Sequence, residues 1–362
     1  MDPESLRASI PACGSCAHLN TGASGPSPRP VVEAVAEAQR RQEFDACETD
    51  HYDAAADLRE RARERLATYL GCDPADVALV ASTGDGLSRV ANAVDWTAGD
   101  RVVRTDLEHP SGVLPWRRLP GVEVETVACP DGRLPADAYR EAVADARLVC
   151  LSSESWLHGT RLPVTEAVDV AHEAGALVVV DAVQTVGQHE IDVGAWGADA
   201  VCASGHKWLL GPWGAGFLYV APEARSAFRP RHVGYRGVAD PSGPGLAYAD
   251  DAGRFELSTT AVAPYAGLIE ALDLLEAVGF PTVESRIERL TDRLKTGLGD
   301  RLRSPAGYES GLVAFDVDDA ERFVDRAADA DVVVRTLPDG SVRASVHVFN
   351  TAADVDALLA LV

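Results

Sequence analysis

Between Val77 and Val220, seven short apolar runs alternate with stretches of helical periodicity, and a chain written this way has few folds open to it. The runs are Val77–Ser82, Arg101–Thr105, Val122–Val127, Ala146–Ser152, Leu177–Asp181, Ala200–Ser204 and Gly216–Val220. Strands this continuously apolar must be covered on both faces, and strands separated by helices pair in parallel. The expected fold class is α/β, with a mainly parallel seven-stranded sheet between helices.

The flanks read differently. From about residue 30 to 70, Val31, Val32, Val35 and Ala36 share a helical face and Ala54 to Leu70 mixes Arg and Glu with apolar positions, which predicts two surface helices. From Ala221 to Phe255, Gly and Pro break every periodicity, as in a loop or domain junction. Helices near Ala261–Val278 and Val283–Leu302 should follow. Strands are expected near Gly311–Val317, Val332–Thr336 and Val342–His347, with helices at Asp318–Ala328 and Ala352–Leu361. The division predicted is an N-terminal arm (1–30), a large domain (31–255) and a small α+β domain (256–362).

Charge restricts the partners. The 362 residues carry 56 acidic against 33 basic side chains, a net charge of −23 that repels nucleic acid and anionic lipid. No apolar run is long enough to span a bilayer and the start lacks the pattern of a secretory signal, so no membrane partner and a cytoplasmic location are expected. The seven cysteines form no disulfide framework. Cys13 and Cys16 make a C-x-x-C pair with no second pair at zinc spacing, so no metal site is expected, only two free thiols in a mobile arm.

The chemistry concentrates in two segments. Val178-Val179-Val180-Asp181-Ala182-Val183-Gln184 ends one apolar run, and Ser204-Gly205-His206-Lys207 ends another, the lysine standing 26 residues after Asp181. Both groups should face the crevice at the carboxyl ends of the strands, where open α/β sheets bind ligands. Only two of the basic residues are lysines, Lys207 and Lys295. A chain that uses arginine nearly everywhere, yet keeps a lysine in a Gly-His-Lys loop, needs an amine that can lose its proton. Pyridoxal 5′-phosphate requires such an amine for a Schiff base and an acid that keeps its pyridine nitrogen protonated, and Lys207 and Asp181 supply the two. Lys295, in the charged run Arg286–Arg301, reads as solvated.

These residues resemble the class V aminotransferase family of fold-type I pyridoxal-phosphate enzymes, which includes cysteine desulfurases, selenocysteine lyases and several aminotransferases. The likeness spans most of the chain: Leu19 to Gly22, Ser82 to Gly86, Glu108-His109-Pro110, Gly159-Thr160, Asp181 to Gln184, Ser204 to Lys207, Arg254 to Glu256 and Arg343 to Thr351. It implies that His109 stacks on the pyridine ring and Gln184 hydrogen-bonds the phenolic oxygen. Thr83 and the Gly84 amide, at the start of a helix, would hold the phosphate with Ser204 and His206, and Thr259 resembles a residue lent across a homodimer interface. Arg335 and Arg343 are the candidates to fork the carboxylate of a small amino-acid substrate, Arg335 directly and Arg343 in support, with Asn20 and Gly22 lining the far side.

Three departures from the family pattern bear on the reaction. Desulfurases carry a nucleophilic cysteine shortly after the arginine matching Arg335, whereas this chain reads Leu337-Pro338-Asp339-Gly340-Ser341 and has no cysteine beyond Cys202. Trp156 stands where desulfurases often have a polar residue, which predicts a narrower, more apolar pocket. Gly84 replaces a second hydroxyl in the phosphate cup. The resemblance with these departures implies an aminotransferase; the alternatives are β-elimination of the cysteine or selenocysteine lyase type and a non-catalytic relic of the fold.

Overall fold

The computed structural model describes residues 1–45, 47 and 50–362. A short strand β1 (Ala17–His18) precedes the seven expected ones: β2 (Val77–Val80), β3 (Arg101–Thr105), β4 (Glu123–Val127), β5 (Leu148–Ser152), β6 (Leu177–Asp181), β7 (Ala200–Ser204) and β8 (Gly216–Val220). These seven lie in the order β2-β8-β7-β6-β5-β3-β4. Strand β8 runs antiparallel to β2 and β7, and every other pair is parallel, so the mainly parallel seven-stranded sheet is the one expected.

Two apolar layers enclose this sheet, and the sequence sorts itself between them residue by residue. Val149, Leu151, Val178, Val180, Val201 and Ala203 belong to one buried cluster, and Leu148, Cys150, Val179, Ala200 and Cys202 to the other. Side chains alternate across a strand, so a strand in the middle of a three-layer stack must be apolar at every position. The six strands other than β8 point the same way and deliver Asp181 and Ser204 to a common edge, with Ser82 just beyond β2.

The C-terminal part holds helices Ala263–Val278, Phe280–Leu298, Ala320–Asp329 and Ala352–Leu359 and the strands β9 (Leu312–Phe315), β10 (Val332–Val333), β11 (Arg335–Thr336) and β12 (Val342–Ser345). The run expected as one strand over Val332–Thr336 divides: β10 pairs in parallel with β1, while β11 pairs antiparallel with β12 and completes the sheet β11-β12-β9. Leu290, Leu294, Phe315, Phe323, Val355 and Leu358 fill the layer between that sheet and its helices. The β11–β12 register sets Arg335 directly opposite Arg343.

Four expectations are corrected. The N-terminal segment is a packed element rather than a mobile arm: helix Pro3–Ala8 buries Leu6, Ile10 and Cys13 are buried after it, and Arg7 pairs with Asp354 at 2.8 Å. The apolar spacing over residues 3–13 is too short to predict a helix, yet burying a leucine of this kind contributes about 2 kcal/mol. In helix Arg29–Phe44, Val31 is buried but Val32 is 57% exposed, so the inward stripe is Val31 and Val35, one turn apart. That stripe lies against Gly267, where a Cβ would stand 2.5 Å from Val35 Cγ2. The following helix, His51–Leu70, is also more than a surface element, since it buries Ala62, Leu66, Ala67 and Leu70. Finally, Lys295 is buried and donates to the Gly307 carbonyl at 2.6 Å; it follows Leu294 on the apolar stripe of its helix, so its stem is covered and its amine reaches a loop carbonyl. Among the described residues no helix is long and apolar enough to cross a membrane.

Candidate active site

A cavity of about 280 Å³ opens at the carboxyl edge of the large sheet, between it and the β11–β12 pair. Its lining includes Gly22, Thr83, Gly84, His109, Asp181, Gln184, Ser204, His206, Lys207, Arg335 and Arg343, eleven of the residues singled out from the sequence. Asn20 and Thr259 are not brought into it. Asn20 bridges to Ser345 beside the cavity, and Thr259 lies exposed, hydrogen-bonded to Tyr235 at 3.0 Å. Ala23, Ser82, Ser111, Trp156 and Val183 complete the lining.

Asp181 ends β6, buried, with one carboxylate oxygen accepting the Val183 N–H at 3.0 Å. Burial pushes its pKa up, opposed by that hydrogen bond and by the positive charge of Lys207. Lys207 follows β7, and its amine is pulled down to about 8, chiefly by burial, with Asp181 working upward and Arg343 and Arg335 downward. An ordinary lysine holds its proton two orders of magnitude more tightly, so this amine can act as a nucleophile or base near neutral pH.

The lysine loop is held from above by the N-terminal chain. Gly25 donates its N–H to the His206 carbonyl at 2.8 Å, and a Cβ on Gly25 would fall 2.2 Å from the Lys207 carbonyl oxygen. Nothing in the sequence marks Gly25, because a glycine in a Gly-Pro-rich loop carries no signal of close approach. Gly25→Ala is expected to displace the lysine backbone and slow uptake of an aldehyde cofactor about ten- to a hundredfold, measured by stopped-flow absorbance; an unchanged rate would show that the loop yields freely.

At the opposite end, helix Thr83–Ala91 starts at the cavity with Ser82 as its cap. The Thr83 N–H donates to Ser204 Oγ at 2.7 Å, and the two hydroxyls lie 2.9 Å apart. A helix N-terminus carrying two hydroxyls and no carboxylate in the cavity fits a phosphate. His206 stacks on Trp213 at 4.6 Å, and burial together with Lys207 lowers it to about 4.

His109 caps the turn Pro110–Gly112: its Nδ1 accepts the Ser111 N–H at 3.2 Å, which leaves the proton of the neutral ring on Nε2. Burial, Lys207 and the two arginines hold it to about 4, so it is neutral at pH 7. Beneath it, buried Glu108 accepts from Thr105 Oγ1 at 2.7 Å and is raised to about 7 by burial. Gln184 donates one amide N–H to Gly22 O at 3.1 Å and accepts from Trp208 Nε1 at 2.8 Å, and these bonds fix its amide at the cavity wall with one N–H to spare.

On the small-sheet side the two arginines differ in burial and in free donors. Arg343 is 1% exposed; one nitrogen donates to Trp156 O at 2.8 Å, while Nε and Nη2 have no partner. Arg335 is half-buried with a single bond to Thr336 O. Trp156 also leaves its indole N–H unpartnered, its ring edge-on to His109 at 5.1 Å. The wall expected to be apolar therefore presents an indole donor among guanidinium donors.

Residues 17–358 match the model of the family described as aminotransferase class V. The chain belongs to the class V aminotransferase family. Members of this family depend on pyridoxal 5′-phosphate. Among its relatives, a probable cysteine desulfurase of Methanothermobacter thermautotrophicus is 29% identical, with 99% of this chain and 96% of that protein covered. One from Halobacterium salinarum is 30% identical over 100% of this chain and 96% of the other. Apo cysteine desulfurase from Thermococcus onnurineus superposes with a TM-score of 0.91 at 27% identity, covering 99% and 97% of the two chains. The cystine C–S lyase C-DES, solved with cysteine persulfide, gives 0.89 at 26% identity over 97% and 98%. The expected fold-type I class agrees with these superpositions.

Proposed function

We propose that this family member uses pyridoxal phosphate to act on the amino group of a small amino acid and eliminates a sulfur- or selenium-bearing substituent from its β-carbon. The observation that carries the reading is that Lys207 and Asp181 converge on one cavity whose described lining holds no thiol. Desulfuration through a cavity cysteine is thereby left without a nucleophile, whereas direct elimination needs none. The relatives named as cysteine desulfurases and as a cystine C–S lyase support cleavage at that bond.

The residues fit the cofactor. Lys207 would hold its aldehyde carbon, Asp181 its pyridine nitrogen, the helix start at Thr83 and Gly84 with Ser204 its phosphate, and His109 and Gln184 its ring. When bound, the cofactor supplies an electron-withdrawing ring that weakens the bonds to the substrate α-carbon. Lys207, once free, takes the α-proton; with its pKa near 8 it can accept that proton and give it up again. Arg343 holds the α-carboxylate through its two unpartnered nitrogens. In elimination, the electron pair left by the α-proton expels the β-substituent as an anion, and the remainder is released as a 2-oxo acid and ammonia after hydrolysis.

Amino transfer is the second reading, favoured by the same amine, because Lys207 could carry the α-proton to a second position instead of leaving it to elimination. The test is a screen of cofactor-loaded protein against cysteine, cystine, selenocysteine, alanine, serine and glutamate. Sulfide or selenide released with stoichiometric ammonia supports elimination. A 2-oxo acid formed without ammonia supports transfer, and no product from a loaded protein leaves the relic.

We infer also that the protein is a homodimer. Thr259 does not line its own cavity and lies exposed beside exposed Tyr235, with Trp213 and Val233 also exposed, so its expected contribution would be to a partner's site. Sedimentation analysis checks this.

A further inference from the structure

The cavity contains more positive charge than the proposed cofactor and one carboxylate can neutralise. Its lining carries Lys207, Arg335 and Arg343 against the single carboxylate of Asp181. Building on the reading above, Lys207 is consumed by the cofactor aldehyde, Asp181 by the ring nitrogen, and the phosphate by a helix start that lacks any cation. Two guanidinium groups remain. They stand directly opposite each other across the β11–β12 pair, and neither has an ion-pair partner among the described residues. Two unpaired cations side by side repel, and Arg343 is in addition withdrawn from water, a cost that an anion would compensate.

The free donors are specific as well as charged. Arg343 Nε and Nη2 and Trp156 Nε1 are buried and unpartnered, and the Ser345 and Thr21 hydroxyls beside them lack partners too. Gly22 is required there, because a Cβ would lie 3.0 Å from Arg343 Nη2 and 2.9 Å from Ser345 Oγ. Asn20 Oδ1 is an unpartnered acceptor in that group, and the two hydroxyls can donate or accept. Arg343 Nε and Nη2 and Trp156 Nε1 can only donate, and buried donors of that kind match an oxyanion. We propose that the substrate is a diacidic amino acid, whose α-carboxylate sits on Arg343 and whose second anionic group, on the side chain, is read by Arg335. A site with both forks on a single carboxylate is the rival arrangement, and it makes a different prediction.

The experiment uses cofactor-loaded protein whose visible absorption is recorded before any amino acid is added. Aspartate, glutamate, cysteine sulfinate and cystine are titrated against alanine and serine, following that band and, independently, the heat of binding. Wild type is expected to bind at least one diacid about tenfold or more tightly than alanine. Arg335→Gln should remove most of that preference, and Arg335→Lys, which keeps the charge but loses the fork, should keep part of it. Equal affinity for the two classes overturns the proposal, as does an Arg335→Gln protein that loses the same factor for alanine as for the diacid. Should Arg335→Gln lack the wild-type near-ultraviolet circular dichroism, the Arg335→Lys ratio decides. Absence of the visible band at the outset would sink the cofactor reading instead.

Discussion

Lys207→Met protein should lose every trace of borohydride-fixable pyridoxal phosphate, turn over amino acids about 10⁴-fold more slowly, and yet be the more stable protein. The three outcomes share one cause. In the unfolded chain the amine keeps its usual pKa of 10.5, while in the folded protein burial lowers it to about 8. Below pH 8 both states are protonated and the folded state bears the full cost of a buried ammonium group, about 3 kcal/mol. Between pH 8 and 10.5 the unfolded state holds a proton that the folded state has released, so stability rises with pH, and above 10.5 the cost is gone. Methionine keeps the stem without the charge. Cofactor-free Lys207→Met should therefore resist urea better than wild type at pH 7, by about 2 to 3 kcal/mol, and the advantage should vanish towards pH 10.5. A variant of equal stability at pH 7 would show that the amine is well solvated. Borohydride fixation that persists and maps to Lys295, the other lysine, would show that Lys207 is not the anchor.

The large sheet was legible because continuous apolar runs leave a strand no alternative to a double-covered position, and the observed strands fall within those runs. The site was legible where chemistry and topology coincide, as at Asp181 and Lys207 on the ends of neighbouring strands. What escaped was set by distant packing. Gly25 looks like any loop glycine until the Lys207 carbonyl is found against it. Lys295 reads as solvated because its sequence neighbours are charged, while its burial depends on a loop at Gly307. The sequence places the direct carboxylate contact on Arg335; the proposal that gives it to Arg343 rests on the burial of Arg343 on the middle strand β12, against the edge position of Arg335 on β11, a difference that two arginines in short apolar strands do not show in sequence.

Asp181→Asn tests the other half of the catalytic pair with almost no change of shape. The amide oxygen can still accept the Val183 N–H, so the strand end should hold and the fold should survive. What disappears is the negative charge, and two effects follow with definite signs. The acid partner of the cofactor ring is lost, so the rate of α-proton removal should fall about 10²- to 10⁴-fold. That loss should appear in kcat rather than KM, because substrate affinity rests on the arginines. The second effect needs no turnover. The carboxylate of Asp181 raises the pKa of Lys207, holding it near 8 against burial and the two arginines. Without it the amine should lose its proton at lower pH, and the pH midpoint for cofactor uptake by cofactor-free Asp181→Asn should fall below that of wild type. A midpoint that rises, or stays put while turnover collapses, would mean that the two groups do not share a field, and the geometry on which the reading stands would have to be rebuilt around another acid.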